Sequence, residues 1–249
     1  MILSKLLSGF CDAALALVYP EACEACGAAP VERRADVPAC EGCWRGTRVF
    51  GGGETLCWKC GRPAGGEVGR EKWEEVRCRR CGEEEFGAAR ACGIYEGALR
   101  ASVLRMKREP FVGARLAGLL VEAARRAPLS SATLVVPVPL HAEREGERGF
   151  NQATLLARVV AKGVRLPVDE SSLVREVHVE RHRAGMDARA RRETVEGAFR
   201  VARPRLIMKE RVLLVDDVFT TGATASACAR ALRAAGAAEV LLLTAARAL

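Results

Sequence analysis

Residues 212–224 read Val-Leu-Leu-Val-Asp-Asp-Val-Phe-Thr-Thr-Gly-Ala-Thr. Two carboxylates, Asp216 and Asp217, stand next to three hydroxyls, Thr220, Thr221 and Thr224, and one glycine, Gly222. Carboxylates repel phosphate but accept hydrogen bonds from sugar hydroxyls. Threonine hydroxyls and the free N–H groups at a helix start donate to phosphate oxygens, and the helix dipole favours an anion there. Gly222 lets the backbone come close. A ligand with a phosphate at one end and a ribose diol beside it satisfies both halves. The same residues also fit a plainer arrangement, a buried strand ending in a solvated turn with Thr220 capping the helix. The Gly-Lys-Ser/Thr ending of a nucleoside triphosphate loop is absent.

A second chemistry lies in the cysteines. Eight of the eleven fall into Cys-x-x-Cys pairs: Cys23/Cys26, Cys40/Cys43, Cys57/Cys60 and Cys78/Cys81. That is metal spacing rather than a secreted disulfide framework. Cys26, Cys60 and Cys81 are each followed by glycine, which eases a turn that aims backbone N–H groups at sulfur. Two tandem zinc sites of four thiolates are the simplest arrangement; order along the chain equally permits interleaved pairs, first with third and second with fourth. Disulfides and an iron–sulfur cluster are the other uses of such thiols. Between Cys43 and Cys78 the chain is glycine-rich and poor in large apolar residues apart from its tryptophans, so a metal must serve as its core. Trp44, Trp58 and Trp73 alternate with arginines, which suits either a stacking surface for single-stranded DNA or a purely structural module. Cys11, Cys92 and Cys228 sit in apolar settings and read as small buried hydrophobes.

Elements must position these groups. Val212–Val215 reads as a buried parallel strand that ends at the acid pair, and 225–235 as an alanine-rich helix stopped by Gly236. Cys92–Tyr95 reads as a strand, Glu96–Arg108 and Phe111–Ala127 as helices, and Leu134–Pro139 as a strand closed by its prolines. Residues 141–152 form a charged, glycine-bearing loop before a helix over 152–161. Arg144 and Arg148 in that loop are placed to meet a pyrophosphate; Glu143, Glu145 and Glu147 alternate with them, so internal salt bridges serve equally well. Strands over 196–201 and 240–244 complete an alternation with helices. The pattern predicts an α/β fold: an open, mainly parallel sheet with helices on both faces.

Composition agrees with a globular chain of 249 residues, 49% hydrophobic and 28% charged. Aromatics are only 5%, so the core rests on Ala, Leu and Val. The net charge of +8 is carried mostly by arginine, which attracts anionic ligands or nucleic acid. No apolar run is long enough for a transmembrane segment. Residues 1–19 read as an amphipathic helix, with Leu3, Leu6, Leu7, Phe10, Ala14 and Leu17 on one face. Free thiols without a signal peptide predict a cytoplasmic protein.

The run from Val212 to Thr224 resembles the phosphoribosyl-pyrophosphate (PRPP) motif of type I phosphoribosyltransferases. The resemblance narrows further along the chain. The zinc pairs, Tyr-Glu-Gly-x-Leu-Arg at 95–100, Lys107, Val-Pro-Val-Pro at 136–139, Arg-Gly-Phe-Asn-Gln at 148–152 and Gly-Ala-Phe at 197–199 resemble, in this order, the ComF family. That family joins a cysteine-rich double zinc ribbon to a type I phosphoribosyltransferase domain and is linked with competence for DNA uptake. The resemblance implies three parts: an N-terminal helix over 1–19, a double zinc ribbon over 20–88 and a phosphoribosyltransferase-like domain over 89–249. It implies that Asp216 and Asp217 hold the ribose hydroxyls and steady a cationic ribose. Thr220 to Thr224 would cradle the 5′-phosphate. Lys107, Arg144 and Arg148 would neutralise the departing pyrophosphate, with Mg2+ bridging ligand oxygens. Two structural Zn2+ ions would hold the ribbon, and DNA-uptake proteins would be its partners. Residues 175–194 depart from the pattern. Arg175 and Arg191 match, but the usual Gln is replaced by His182 or Arg183 and the Asn by Thr194, so acceptor and turnover are open. His178 and His182, four apart, fit a metal or acid–base pair as well as a solvated basic loop. The rival reading is a non-catalytic, zinc-containing accessory protein that binds single-stranded DNA.

Overall fold

Four apolar segments pair into one parallel sheet. The computed structural model describes residues 21–66, 68–79, 81–82, 84–176 and 197–249; the amphipathic stretch over 1–19, Cys11, His178, His182 and Arg191 lie outside them. Strands β1 (Ala88–Ala91), β2 (Leu134–Pro137), β5 (Arg211–Phe219) and β6 (Glu239–Arg247) lie in the order β1-β6-β5-β2. Two further strands, β3 (Leu173–Arg175) and β4 (Phe199–Val201), form a separate antiparallel pair. Among the described residues the helices are α1 (Glu41–Gly46), α2 (Gly97–Met106), α3 (Ala114–Ala124), α4 (Ala142–Arg148), α5 (Gln152–Val164) and α6 (Ala223–Ala234).

Side chains alternate across the central strands, so the sheet has two buried faces. Leu213, Val215, Leu241 and Leu243 pack with Leu99, Leu116, Leu120, Leu156 and Val160 of α2, α3 and α5. Val212, Leu214, Val240 and Leu242 pack with Cys228 and Leu232 of α6, with Leu173 and Phe199 of the antiparallel pair, and with Cys57 and Cys60. The parallel sheet and the helices on both faces agree with the expected architecture. The cysteine-rich front shares this core: Val37, Ala39, Cys40 and Trp44 belong to the first cluster. Arg105 to Glu21 (2.6 Å), Arg108 to Glu24 (2.6 Å) and Arg115 to Asp36 (3.1 Å) tie it to α2, the turn after α2 and α3.

Several elements differ from their sequence-based bounds. β5 does not stop at Val215; Val218 and Phe219 still pair with Ala246 and Arg247, because β6 is long enough to supply partners. The first strand is Ala88–Ala91 rather than 92–95. Its alanine-rich run is a weak strand former, and the register with Leu241–Thr244 overrides propensity. The strand expected over 196–201 is observed only from Phe199, and it pairs with β3 outside the parallel sheet. The charged loop over 141–152 contains α4, started where the His141 ring nitrogen accepts from the Glu143 N–H (3.4 Å) and ended by Gly149 at φ +79°. The helix expected over 111–127 is the shorter α3. Gly236 does close α6, at φ +93°. Among the described residues no helix is long and apolar enough to cross a membrane.

Candidate functional site

Because β5 continues through the acid pair, Asp216 and Asp217 occupy adjacent strand positions and face opposite sides of the sheet. Asp216 lines a cavity of about 50 Å³ together with Thr220, Thr221, Gly222, Ala223 and Thr224. Its Oδ1 accepts the Asp217 N–H at 2.8 Å. Burial first, and the neighbouring Asp217 charge second, raise the Asp216 carboxyl to about 8, although it keeps a partly open surface toward the cavity. The Asp217 N–H, Lys107 and Arg175 pull in the other direction.

The turn after β5 leads straight into α6. Gly222 stands at the helix start with φ +80°, a conformation glycine adopts without steric cost. No side chain caps this helix, so the expected alternative of Thr220 as a cap is not observed. The first N–H groups of α6 are thus left largely to whatever occupies the cavity, apart from a long 3.4 Å contact from Ala223 N–H to Thr221 Oγ1.

On the other side of the strand Asp217 is buried; its Oδ1 accepts from the Val218 N–H at 2.6 Å, and two side chains hold its other oxygen. Its Oδ2 lies 3.3 Å from Lys107 Nζ and accepts from Gln152 Nε2 at 3.2 Å. Gln152 turns its other amide atom to Arg148, whose Nη1 donates to Gln152 Oε1. Lys107, Asp217, Gln152 and Arg148 therefore form one chain of contacts. The prolines closing β2 and the Asn151 cap position it: Asn151 Oδ1 accepts from Ala153 N–H (2.9 Å), while Nδ2 donates to the Val138 carbonyl (3.0 Å). Arg144 stands elsewhere, near Arg175. Burial, with Arg144's charge adding to it, keeps the Arg175 guanidinium below its usual value, and Asp216 opposes the shift.

The cysteines gather as Cys23, Cys26, Cys40 and Cys43, and as Cys57, Cys60, Cys78 and Cys81, with the sulfurs of each set within 4.8 Å of one another. This is the tandem arrangement, not the interleaved one. All eight are free thiols. Sulfur separations of 3.7 Å for Cys23–Cys43, 3.6 Å for Cys60–Cys78 and 3.4 Å for Cys78–Cys81 come close to the edge of a tetrahedron with bonds of about 2.3 Å, which is about 3.8 Å. Main-chain N–H groups of Cys40 and Cys78 point at the sulfurs of Cys23 (3.2 Å) and Cys57 (3.3 Å), as thiolates require. Gly27 and Gly61 take φ +67° and +69°, which explains glycine after Cys26 and Cys60; Gly82 makes no such demand. Both sets fit structural zinc.

A double zinc ribbon domain is recognised over residues 14–81. The DNA utilization protein YhgH of Salmonella typhi is 30% identical over 194 residues, 75% of this chain and 81% of that one. The chain belongs to the ComF family. Competence protein F of Haemophilus influenzae is 35% identical over 137 residues, 54% of this chain and 59% of the relative. Among solved structures, glutamine PRPP amidotransferase from B. subtilis, complexed with ADP and GMP, overlaps 52% of this chain and 25% of its own, with 20% identity and a TM-score of 0.35.

In this ComF protein Trp44 belongs to the interior, while Trp58 and Trp73 are half-buried. Trp44 is buried beneath Arg115 (5.0 Å) and donates to the Asp36 carbonyl (2.6 Å). Trp58 is covered by Arg90 at 4.9 Å, and Trp73 donates to the Val68 carbonyl at 3.0 Å. Gln152 stands in the Arg-Gly-Phe-Asn-Gln motif, which left its contact with Asp217 unassigned; its i+4 spacing from Arg148 was a further signal. Arg247 had no signal, since its contact with Cys60 depends on a chain crossing from the cysteine-rich front.

Proposed function

We propose that the protein binds Mg-PRPP and transfers its phosphoribosyl group to a nitrogen acceptor, releasing pyrophosphate. The observation that carries this reading is the cavity shared by Asp216 and the uncapped start of α6, with Lys107, Asp217, Gln152 and Arg148 contiguous on the far side of the same strand. In this reading residues 220–224 receive the 5′-phosphate. Asp216, ionised once the ligand is bound, accepts from the ribose hydroxyls on the cavity side and favours the cationic ribose as the bond to pyrophosphate breaks, while Asp217 steadies Lys107 and Gln152 beside it. Lys107 exchanges its ion pair with Asp217 for the pyrophosphate, and Arg148, released from Gln152, and Arg144 add positive charge. Mg2+, carried in by the ligand, would neutralise pyrophosphate charge. Positioning and charge supply the rate; no side chain is assigned as a general base.

Calorimetry with Mg-PRPP, followed by a pyrophosphate-release screen over nucleobases, tests this. Asp217→Ala is expected to weaken binding by about tenfold to a hundredfold, the size of a lost charge-assisted hydrogen bond. Wild-type protein that shows no heat with Mg-PRPP, or an Asp217→Ala variant equal to wild type, would sink the assignment. The relatives' names, DNA utilization protein and competence protein, support a second reading, a zinc-bearing accessory that contacts single-stranded DNA and uses the phosphate cradle without turnover. PRPP binding with no pyrophosphate released on any base would favour it. The thiol-rich front fits a reducing compartment such as the cytoplasm.

A further inference from the structure

One side chain joins the second cysteine set to the turn at the end of β5. Arg247, the last residue of β6, is only 7% exposed. Its Nη1 donates to the Cys60 carbonyl, and its Nη2 lies 3.8 Å from Cys60 Sγ. The guanidinium carbon stands 4.5 Å over the Phe219 ring. Phe219 is in turn the closest neighbour of Gly222: a β-carbon there would lie 3.0 Å from its ring. Phe86 braces Phe219 edge-on, with centroids 6.0 Å apart, and Glu85 N–H donates to Ser226 Oγ in α6 at 2.9 Å. The metal turn itself is locked to the sheet. Ala89 N–H donates to the Lys59 carbonyl (2.8 Å), and a β-carbon on Gly61 would come 2.5 Å from the Ala89 carbonyl.

A buried guanidinium needs negative charge or carbonyls around it. Four thiolates on one Zn2+ carry a net negative charge and hold the Cys60 carbonyl in place. Without metal nothing ties the four sulfurs together, the turn that presents the Cys60 carbonyl loosens, and Arg247 loses its anchor there. Its stack on Phe219 then no longer fixes the backbone at Gly222. We infer that Arg247 couples metal binding at Cys57, Cys60, Cys78 and Cys81 to anion binding at residues 220–224. By linkage, a bound sugar phosphate tightens the metal by the same factor that the metal tightens the ligand. This rests on the reading of residues 220–224 as a phosphate cradle, and Arg247 acts as a positioning residue.

The test uses the full-length, zinc-loaded chain. Cys78→Ser removes one ligand of the second set. It is expected to speed hydrogen exchange of amides 220–225 by about tenfold and to weaken Mg-PRPP by about tenfold, the usual range for coupled sites. In wild-type protein Mg-PRPP should slow the loss of one of the two zincs to a chromophoric chelator. Arg247→Met should retain both zincs and a cooperative thermal transition, yet lose that protection. Unchanged exchange and affinity in Cys78→Ser, or full protection in Arg247→Met, would overturn the coupling. If Cys78→Ser does not fold, the chelator arm on wild type and Arg247→Met decides alone. If wild type does not bind Mg-PRPP, the proposed function falls, while exchange at 220–225 on zinc removal still decides the coupling.

Discussion

Asp216 and Asp217 are chemically identical neighbours with different surroundings. Asp217 has a cation and an amide on it; Asp216 has burial and a like charge against it. These surroundings raise the Asp216 carboxyl to about 8. The unfolded chain gives up this proton near pH 4, whereas the folded protein holds it up to about pH 8. Stability from the neutral carboxyl is therefore fully present below about pH 4 and is lost as pH rises through the folded value. Asparagine mimics the neutral form. Asp216→Asn is expected to gain thermal stability relative to wild type between pH 5 and pH 9; a melting-temperature difference that stays flat over that range would contradict the assignment. Gly222 offers a second residue-scale test. At φ +80°, with Phe219 at 3.0 Å from a would-be β-carbon, Gly222→Ala is strained on two counts. A loss of at least about 1 kcal/mol in denaturant unfolding is expected, with weaker Mg-PRPP binding in calorimetry.

At the scale of elements, the long hydrophobic strands and the alanine-rich helix after the acid pair were legible from type and period. β1 was not, because four small residues carry little strand signal and only pairing with β6 makes them a strand. The start of α5 is where element and site meet. Asn151 caps the helix, binds the Val138 carbonyl and sets Gln152 in reach of Asp217. Asn151→Ala is expected to cost about 1–2 kcal/mol from the lost cap. It should also weaken ligand binding more than a core truncation of equal measured destabilisation placed away from the site. Equal ligand affinity in the two variants would show that the cap serves stability alone.

For the whole molecule, the cysteine-rich front and the sheet share one core, so metal content should govern global stability. Elemental analysis is expected to return two zincs per chain, and a strong chelator should lower the main thermal transition rather than melt a separate small one. Two resolved transitions, with the sheet's transition unmoved, would contradict the shared core. The net charge of +8 acts over longer distances. If single-stranded DNA is a ligand, its affinity must fall steeply as salt rises, in proportion to the phosphates neutralised. Binding that ignores salt would exclude this electrostatic mode.

Residue type and spacing alone determined the strand–acid–turn–helix order and the thiol pairs, because backbone period and ligand chemistry are local properties. Family motifs, which keep their order along the chain, also offered Lys107 and Arg148, and the fold brings these two to Asp217 and Gln152. Only tertiary structure decided how these parts meet. It sent Asp216 and Asp217 to opposite faces by carrying β5 four residues past Val215. It settled tandem over interleaved cysteines. It also laid Arg247 between Cys60 and Phe219, a contact across 187 positions that no local pattern encodes, because it exists only once two distant segments share a buried interior.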